Sequence, residues 1–430
     1  MKSDKKNKII NAFFIIPAII GFTFYCFELV LLHYNQTLFP VTGKYESDLF
    51  AHIEMALDGW GYSILAIIYR LFALLPEFGF HFAIATFLCI CEAGTLALTF
   101  IVLRTSKIET KTAIIFAAIS GFVAPAYIRA IQPYRYIGYQ SGSIWHNSTY
   151  IVMKFTALIC IVLYLVISAK YKEKMSAGEV IAFAILLAIT TSVKTNFILV
   201  FAPVALLFLI IDRILGVPFK RLLLCALTVI PSVAVILFQE YVLFGESTGN
   251  GIIIDPLYSV YLRAEKPYFT MILSAAFPIM ILLFNIVPVL KDTFVDFKDK
   301  KRGLTHRFFL LAWSMWFVAF WEYILLRETG KRELDDNFAW GYDFCIFILF
   351  AVSIIYFIKN IYAIIGKVTK KNMSNLSDIS KEEATPAKIN AFDIFKAVYL
   401  VLALALLIYH TYCGVFFFVR LTQGITFFMQ

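Results

Sequence analysis

Residues 149–169 read TYIVMKFTALICIVLYLVISA, a run of about twenty positions with a single charge, Lys154. As a helix it is ~30 Å long, the thickness of a bilayer's hydrocarbon core. Spanning β-strands would instead alternate over ~10 residues, and no such alternation is seen. Similar runs recur at roughly 9–32, 80–103, 111–128, 177–193, 195–212, 221–239, 269–290, 307–326, 338–358 and 394–419. The pattern predicts an all-α membrane protein of about eleven transmembrane helices, with residues 1–430 as one polytopic domain.

Composition agrees with this class. The chain is 61% hydrophobic and 17% aromatic, and only 16% of its residues are charged, too few for a soluble domain of 430 residues. The first apolar run, Ile9 to Leu32, exceeds a signal-peptide core and reads as an uncleaved first span. The seven cysteines fall almost entirely in apolar runs and read as small buried hydrophobes, not as disulfides or a metal set.

The net charge of +9 raises the question of nucleic acid. Most of the 38 Lys and Arg, however, sit in alternate loops, which is the signature of membrane topology. The expected arrangement is a multi-pass cell-membrane protein with the N-terminus cytoplasmic and the C-terminus outside. The basic loops are expected to meet anionic headgroups, with no nucleic-acid partner. Residues 359–393, including KVTKKNMSNLSDISKEEATPAK, read as a flexible basic cytoplasmic loop. No internal repeat is evident.

Four loops then face outward. They cover about 33–79, 129–148, 240–268 and 327–337, and they mix acids, bases, Trp, Tyr, His, Asn and Gly. In the first, YESDLFAHIEMALDGWGYS (45–63) predicts a helix over 48–58. Leu49, Phe50, Ile53 and Leu57 share one side, Asp48 and His52 a second, and Glu54 and Asp58 a third. Gly59 and Gly61 end it, and 62–75 forms a second amphipathic helix stopped by Pro76. Both would lie along the outer membrane surface. Asp48 after Ser47 fits two roles, helix capping and proton acceptance. Glu54 and Asp58 read as a solvated face.

An acid in the first loop is matched by bases in the fourth, Arg327, Lys331 and Arg332. Arg135, Trp145, His146 and Lys266 stand between them in sequence. An acid to accept a hydroxyl proton and cations to hold a phosphate are what sugar transfer from a lipid phosphate requires.

Three stretches carry a family resemblance: SDLFAHI at 47–53, Trp145-His146-Asn147, and Glu328 to Tyr342 (ETGKRELDDNFAWGY). They resemble the GT-C superfamily of polytopic membrane glycosyltransferases, whose first outer loop places an acid just after the first span. The resemblance implies transfer from a polyprenyl-phosphate-linked sugar to a glycan or glycolipid acceptor at the outer face, in cell-surface glycan assembly. It implies Asp48 as the catalytic acid–base residue and Arg332 as the contact to donor phosphate. His52, Arg135, Trp145, His146, Asn147, Lys266, Glu328 and Lys331 complete the expected substrate-binding set. No cofactor is required. The first loop has no Asp-X-Asp, which leaves a divalent metal open, and no metal ligands are assigned.

Other readings compete. Glu92 and Lys154 inside spans, and Gly121 with Pro125, point to a transporter or lipid flippase. An O-antigen-type polymerase or ligase also binds lipid-linked sugars outside, but depends on late-loop arginines. A non-catalytic assembly subunit has no positive sign in the sequence.

Overall fold

The structure is a computed structural model and describes residues 2–40, 44–59, 63–133, 140–244, 251–299, 304–330, 333–376 and 391–425. The chain begins with α1 (Lys2–Leu38), then two short helices, α2 (Leu49–Leu57) and α3 (Ile64–Phe72). These are followed by α4 (Glu77–Thr105), α5 (Thr110–Ser120), α6 (Ser148–Lys170), α7 (Ala177–Val193), α8 (Asn196–Ile214), α9 (Phe219–Leu227) and α10 (Ile230–Phe244). After strand β1 (Gly251–Ile254) come α11 (Tyr258–Arg263), α12 (Pro267–Ser274), α13 (Ala276–Asp299) and α14 (Leu304–Leu325). Strand β2 (Leu326–Thr329) precedes α15 (Ala339–Leu376) and α16 (Ala391–Thr422).

Among the described residues, nine segments are helical, long and apolar enough to cross a membrane, α9 and α10 together forming one of them. The chain is thus an all-α multi-pass membrane protein. The other two expected spans are the shorter apolar helices α5 and α7. The first of these departs from expectation. The apolar run 111–128 predicts a full crossing, but α5 stops at Ser120 after 11 residues, or ~16 Å.

From there the chain is irregular up to Arg129, and Gln140–Asn147 return into the bundle with every residue buried. The sequence predicts an outward-facing loop over 129–148, and its second half is packed inside the protein as a plug. Its backbone groups are paired inside the protein, as irregular chain in a membrane protein requires. Ala124 N–H donates to His410 O (3.3 Å), Ala126 N–H to Leu273 O (3.2 Å), and Ser143 N–H to Val123 O (3.1 Å). The ring Nδ1 of His410 lies 2.6 Å from Ala124 O. α16 crosses so closely that a Cβ at Gly414 would sit 1.7 Å from Phe122 O, so only glycine fits there.

α15 is the central helix. In its most apolar window 78% of residues are buried, against 17% for α1, which places α1 at the rim. It also outlasts its expected end. Its helix continues to Leu376, through the first part of the stretch expected to be loop; 377–390 lie outside the described residues. Among the described residues, two ion pairs are buried inside spans. Lys154 Nζ is 3.2 Å from Glu92 Oε2, and Arg307 Nη2 is 2.8 Å from Asp212 Oδ2.

The C-terminal end of α1, the N-terminal ends of α4, α6, α8 and α15, and helices α2 and α3 meet at one end of the bundle. α16 finishes there too, with Gly424 against the Tyr45 ring. At the same end β1 pairs antiparallel with β2, Gly251 opposite Thr329 and Ile254 opposite Leu326.

Candidate functional site

The start of α2 answers the question the sequence leaves open about Asp48. Ser47 Oγ accepts the Leu49 N–H (3.0 Å) and itself donates to His146 O (2.7 Å). Asp48 makes no side-chain cap bond to its own helix. Its backbone N–H donates to His146 O (2.8 Å), and its Oδ2 accepts from Asn147 Nδ2 (2.6 Å). Ser47 therefore does the capping, and the half-buried Asp48 carboxylate is turned toward the neighbouring segment.

Asn147 has two jobs that its amide alone combines. Its Oδ1 caps α6 by accepting Tyr150 N–H (2.9 Å) and also takes the Thr149 hydroxyl (2.7 Å). Its Nδ2 holds Asp48. Aspartate would cap equally well but has no hydrogen to give a carboxylate. Thr149 Oγ1 in turn accepts from Lys194 Nζ (3.1 Å), so Asp48 and Lys194 are joined through three hydrogen bonds. Lys194 stands in the break between α7 and α8, with extended backbone, and its ammonium lies 4.7 Å from the Trp340 ring centroid.

Two histidines complete the cluster. His52 Nδ1 is 2.9 Å from Ser148 Oγ, and the His146 ring packs 5.9 Å from Trp340. Desolvation holds the His52 pKa below its ordinary value, with Asp48 opposing and Lys194 reinforcing the shift. Burial pushes His146 down to about 4, again against the pull of Asp48. Both rings are neutral at pH 7, so the positive charge beside Asp48 comes from Lys194. The arrangement is a half-buried carboxylate linked to a cation through the Asn147 and Thr149 side chains, and it can accept a proton while an anion is held alongside.

A second polar patch adjoins it. Asn196 Nδ2 donates to Asn337 O (2.6 Å), and Asn337 Nδ2 donates to Glu328 Oε2 (2.5 Å). Next to Asn337, Asp336 has left-handed backbone (φ 52°), which Asp tolerates better than most residues. It lies 3.6 Å from Arg263 Nε. Burial raises its carboxyl to about 7, with Arg263 and the Ser259 hydroxyl pulling the other way. The folded protein therefore keeps this proton at pH values where the unfolded chain, near 3.8, has released it. Stability should fall as pH rises from about 4 to about 7 and then level off, by on the order of 4 kcal/mol from this group. Unfolding midpoints measured across that range should show the decline in wild type. In Asp336→Asn most of it should vanish; an unchanged slope would remove Asp336 as its source.

The expected site residues separate into groups. Asp48, His52, His146 and Asn147 come together, and Glu328 joins through Asn337 and Asn196. Trp145 does not line the site: it is 1% exposed, packed against Phe122 and Phe418, with its carbonyl accepting Gln36 Nε2. Lys266 bonds Ala130 O instead (2.5 Å). Arg327 is committed to Asp255 and Glu333 (2.8 and 2.6 Å) and stacked over Tyr258. Glu54 and Asp58 are exposed. Arg135, Lys331 and Arg332 lie outside the described residues. Lys194 and Asp336 were not singled out. Lys194 did show as a charge inside a polar interruption between two apolar runs. Among the described residues no group of three or more His, Cys, Asp or Glu is placed to hold a metal ion.

No family model, curated protein or solved structure matches this chain.

Proposed function

We propose that the chain is a membrane glycosyltransferase. It moves a sugar from a polyprenyl-phosphate-linked donor to a hydroxyl acceptor at the membrane face that carries α2. The distribution of basic residues among the loops supports an extracytoplasmic orientation for that face, which fits cell-surface glycan or glycolipid assembly. In the proposed step the acceptor oxygen forms a bond to the anomeric carbon, and the bond from that carbon to the phosphate oxygen breaks. The acceptor's proton passes to Asp48, and the electron pair leaves with the lipid phosphate. Lys194 holds that phosphate, with Lys331 and Arg332 as further candidates from the adjoining loop. The observation that carries the reading is the Asp48 carboxylate itself. It is half-buried, relieved of capping by Ser47, and tethered through Asn147 and Thr149 to a cation.

The test is product formation by purified protein in liposomes, using a panel of polyprenyl-phosphate sugars and hydroxyl acceptors. Lys194→Gln should weaken donor binding by about 10- to 100-fold, the worth of a hydrogen bond to a charged group. This should appear as raised KM with kcat less affected. A variant with unchanged KM would take Lys194 out of the donor site.

A second reading, a transporter for a polar or lipid-linked solute, is favoured by one observation. α5 ends partway across, and irregular chain continues within the bundle. Flux of lipid-linked sugar across the liposome membrane without any product would favour it.

A further inference from the structure

At the end of the bundle opposite Asp48, a cavity of about 240 Å³ lies between α6, α7, α8 and α9. Its walls include Tyr164, Phe183, Phe201 and Ala205, and its lining is almost wholly apolar. Protein interiors are close-packed, and an apolar void of this size is not filled by water. Leu206 and Ala226 line it while remaining exposed on the helix surfaces, so its mouth opens sideways to the bilayer.

The polar rim above that mouth is basic. Lys172 and Lys174 follow the cavity-lining Tyr171, Arg213 follows Leu209, and Lys220 precedes Cys225. All four cations are exposed. Among the described residues Lys172 makes a long 3.5 Å contact to Leu215 O, and Lys174 has Glu179 within electrostatic reach. The acids nearby are Glu173, which is exposed, Glu179, which is paired with Lys170, and the buried Asp212, which is paired with Arg307. Arg221 ties the start of α9 to the end of α6 by donating to Tyr171 O (2.7 Å) and Glu173 O (2.9 Å), which fixes the rim over the cavity. Behind the wall, the buried Arg307 guanidinium lies 5.6 Å from the Tyr164 ring and 5.8 Å from the Tyr171 ring. Its Nε and Nη1 have no hydrogen-bond partner.

We infer that this cavity is a binding site for one anionic phospholipid of the surrounding leaflet. An acyl chain enters between α8 and α9 and fills the apolar space, and the phosphate is held by the exposed cations Lys172, Lys174, Arg213 and Lys220 at that end of the helices. The apolar void calls for a chain, and the excess of cations calls for a net negative headgroup. A zwitterionic lipid satisfies only the first. The inference is independent of the chemistry proposed for the Asp48 end.

The test reconstitutes the full chain in vesicles of equal phosphatidylglycerol and phosphatidylcholine, followed by gentle extraction and native mass spectrometry. The expected result is one retained phosphatidylglycerol per protein, with phosphatidylcholine displaced. Each cation neutralised to Gln should lower retention about fivefold, in line with the worth of one basic residue at a charged leaflet. Ala205→Leu should lower it by narrowing the cavity while leaving the rim intact. Soluble glycerol phosphate added in excess should not compete, since it lacks the chain. Equal retention of both lipids, or undiminished phosphatidylglycerol in the four-Gln variant, would overturn the site. Should Ala205→Leu fail to fold, the charge variants alone decide.

Discussion

Asp48→Asn is expected to lower the rate of sugar transfer by ~10²–10⁴ while leaving the unfolding temperature almost unchanged. The rate effect is the usual size for loss of a positioned general base. The stability expectation comes from the local hydrogen bonds. Ser47 Oγ, not Asp48, satisfies the first N–H of α2. The Asp48 backbone bond to His146 O survives any side-chain change. An asparagine can present its Oδ1 to Asn147 Nδ2, replacing the side-chain hydrogen bond that the carboxylate accepts among the described residues. What asparagine lacks is only the capacity to take a proton. Initial rates and melting curves on the same preparations separate the two roles. Full activity in the variant would end the catalytic assignment, and loss of the fold would mean that Asp48 is structural after all.

The second large effect concerns stability. Lys154 and Glu92 are both nearly inaccessible, Glu92 near the middle of α4 and Lys154 two turns inside α6. Lys154 also lies 5.5 Å from the Tyr150 ring and 5.6 Å from the Phe347 ring. Lys154→Met should destabilise the protein by about 3–5 kcal/mol, because it leaves Glu92 buried without its counter-charge. The double variant Glu92→Leu/Lys154→Met should recover most of that loss, since apolar side chains carry no desolvation cost at that depth. Unfolding free energies of the two single variants and the double variant close the cycle. Single variants as stable as wild type would show that the pair is not held as described. Transfer activity in the double variant should stay near wild type. Its disappearance with the fold intact would shift weight to the transporter reading, in which mid-membrane charges move the solute.

Much of the architecture was legible because the bilayer imposes a length on every apolar run. α2 and α3 were readable for a different reason: apolar spacing bounded by Ser47, Gly59 and Pro76 punctuates the chain locally. What escaped the sequence was decided by contacts between distant residues. Trp145 sits in a polar stretch and looks like a headgroup-level aromatic, yet it packs against α16. Glu92 finds its partner 62 residues away. Lys194 comes within reach of Thr149 only because α6 and α7 pack side by side. Asn147 was visible as part of a motif, but its double service needed the position of Asp48. α15 overran its apolar segment because a helix needs no apolar side chains to continue, and the interruption at 366–376 holds no proline to stop it.

The plug formed by residues 121–127 and 140–147 also sets the order in which the molecule can be completed. Ala124 pairs with His410 across 286 residues, and Gly414 is the only fit against Phe122. During synthesis the first part of this segment is made long before its partner. Until α16 is delivered, the Ala124 amide lacks its acceptor, and the wall behind Trp145 is missing Phe418 and Leu421. The last described helix is therefore the bolt that closes the polar end. A nascent chain without it carries an open seam that water, lipid or a quality-control protease can enter, so closure of this end waits on the synthesis and insertion of α16.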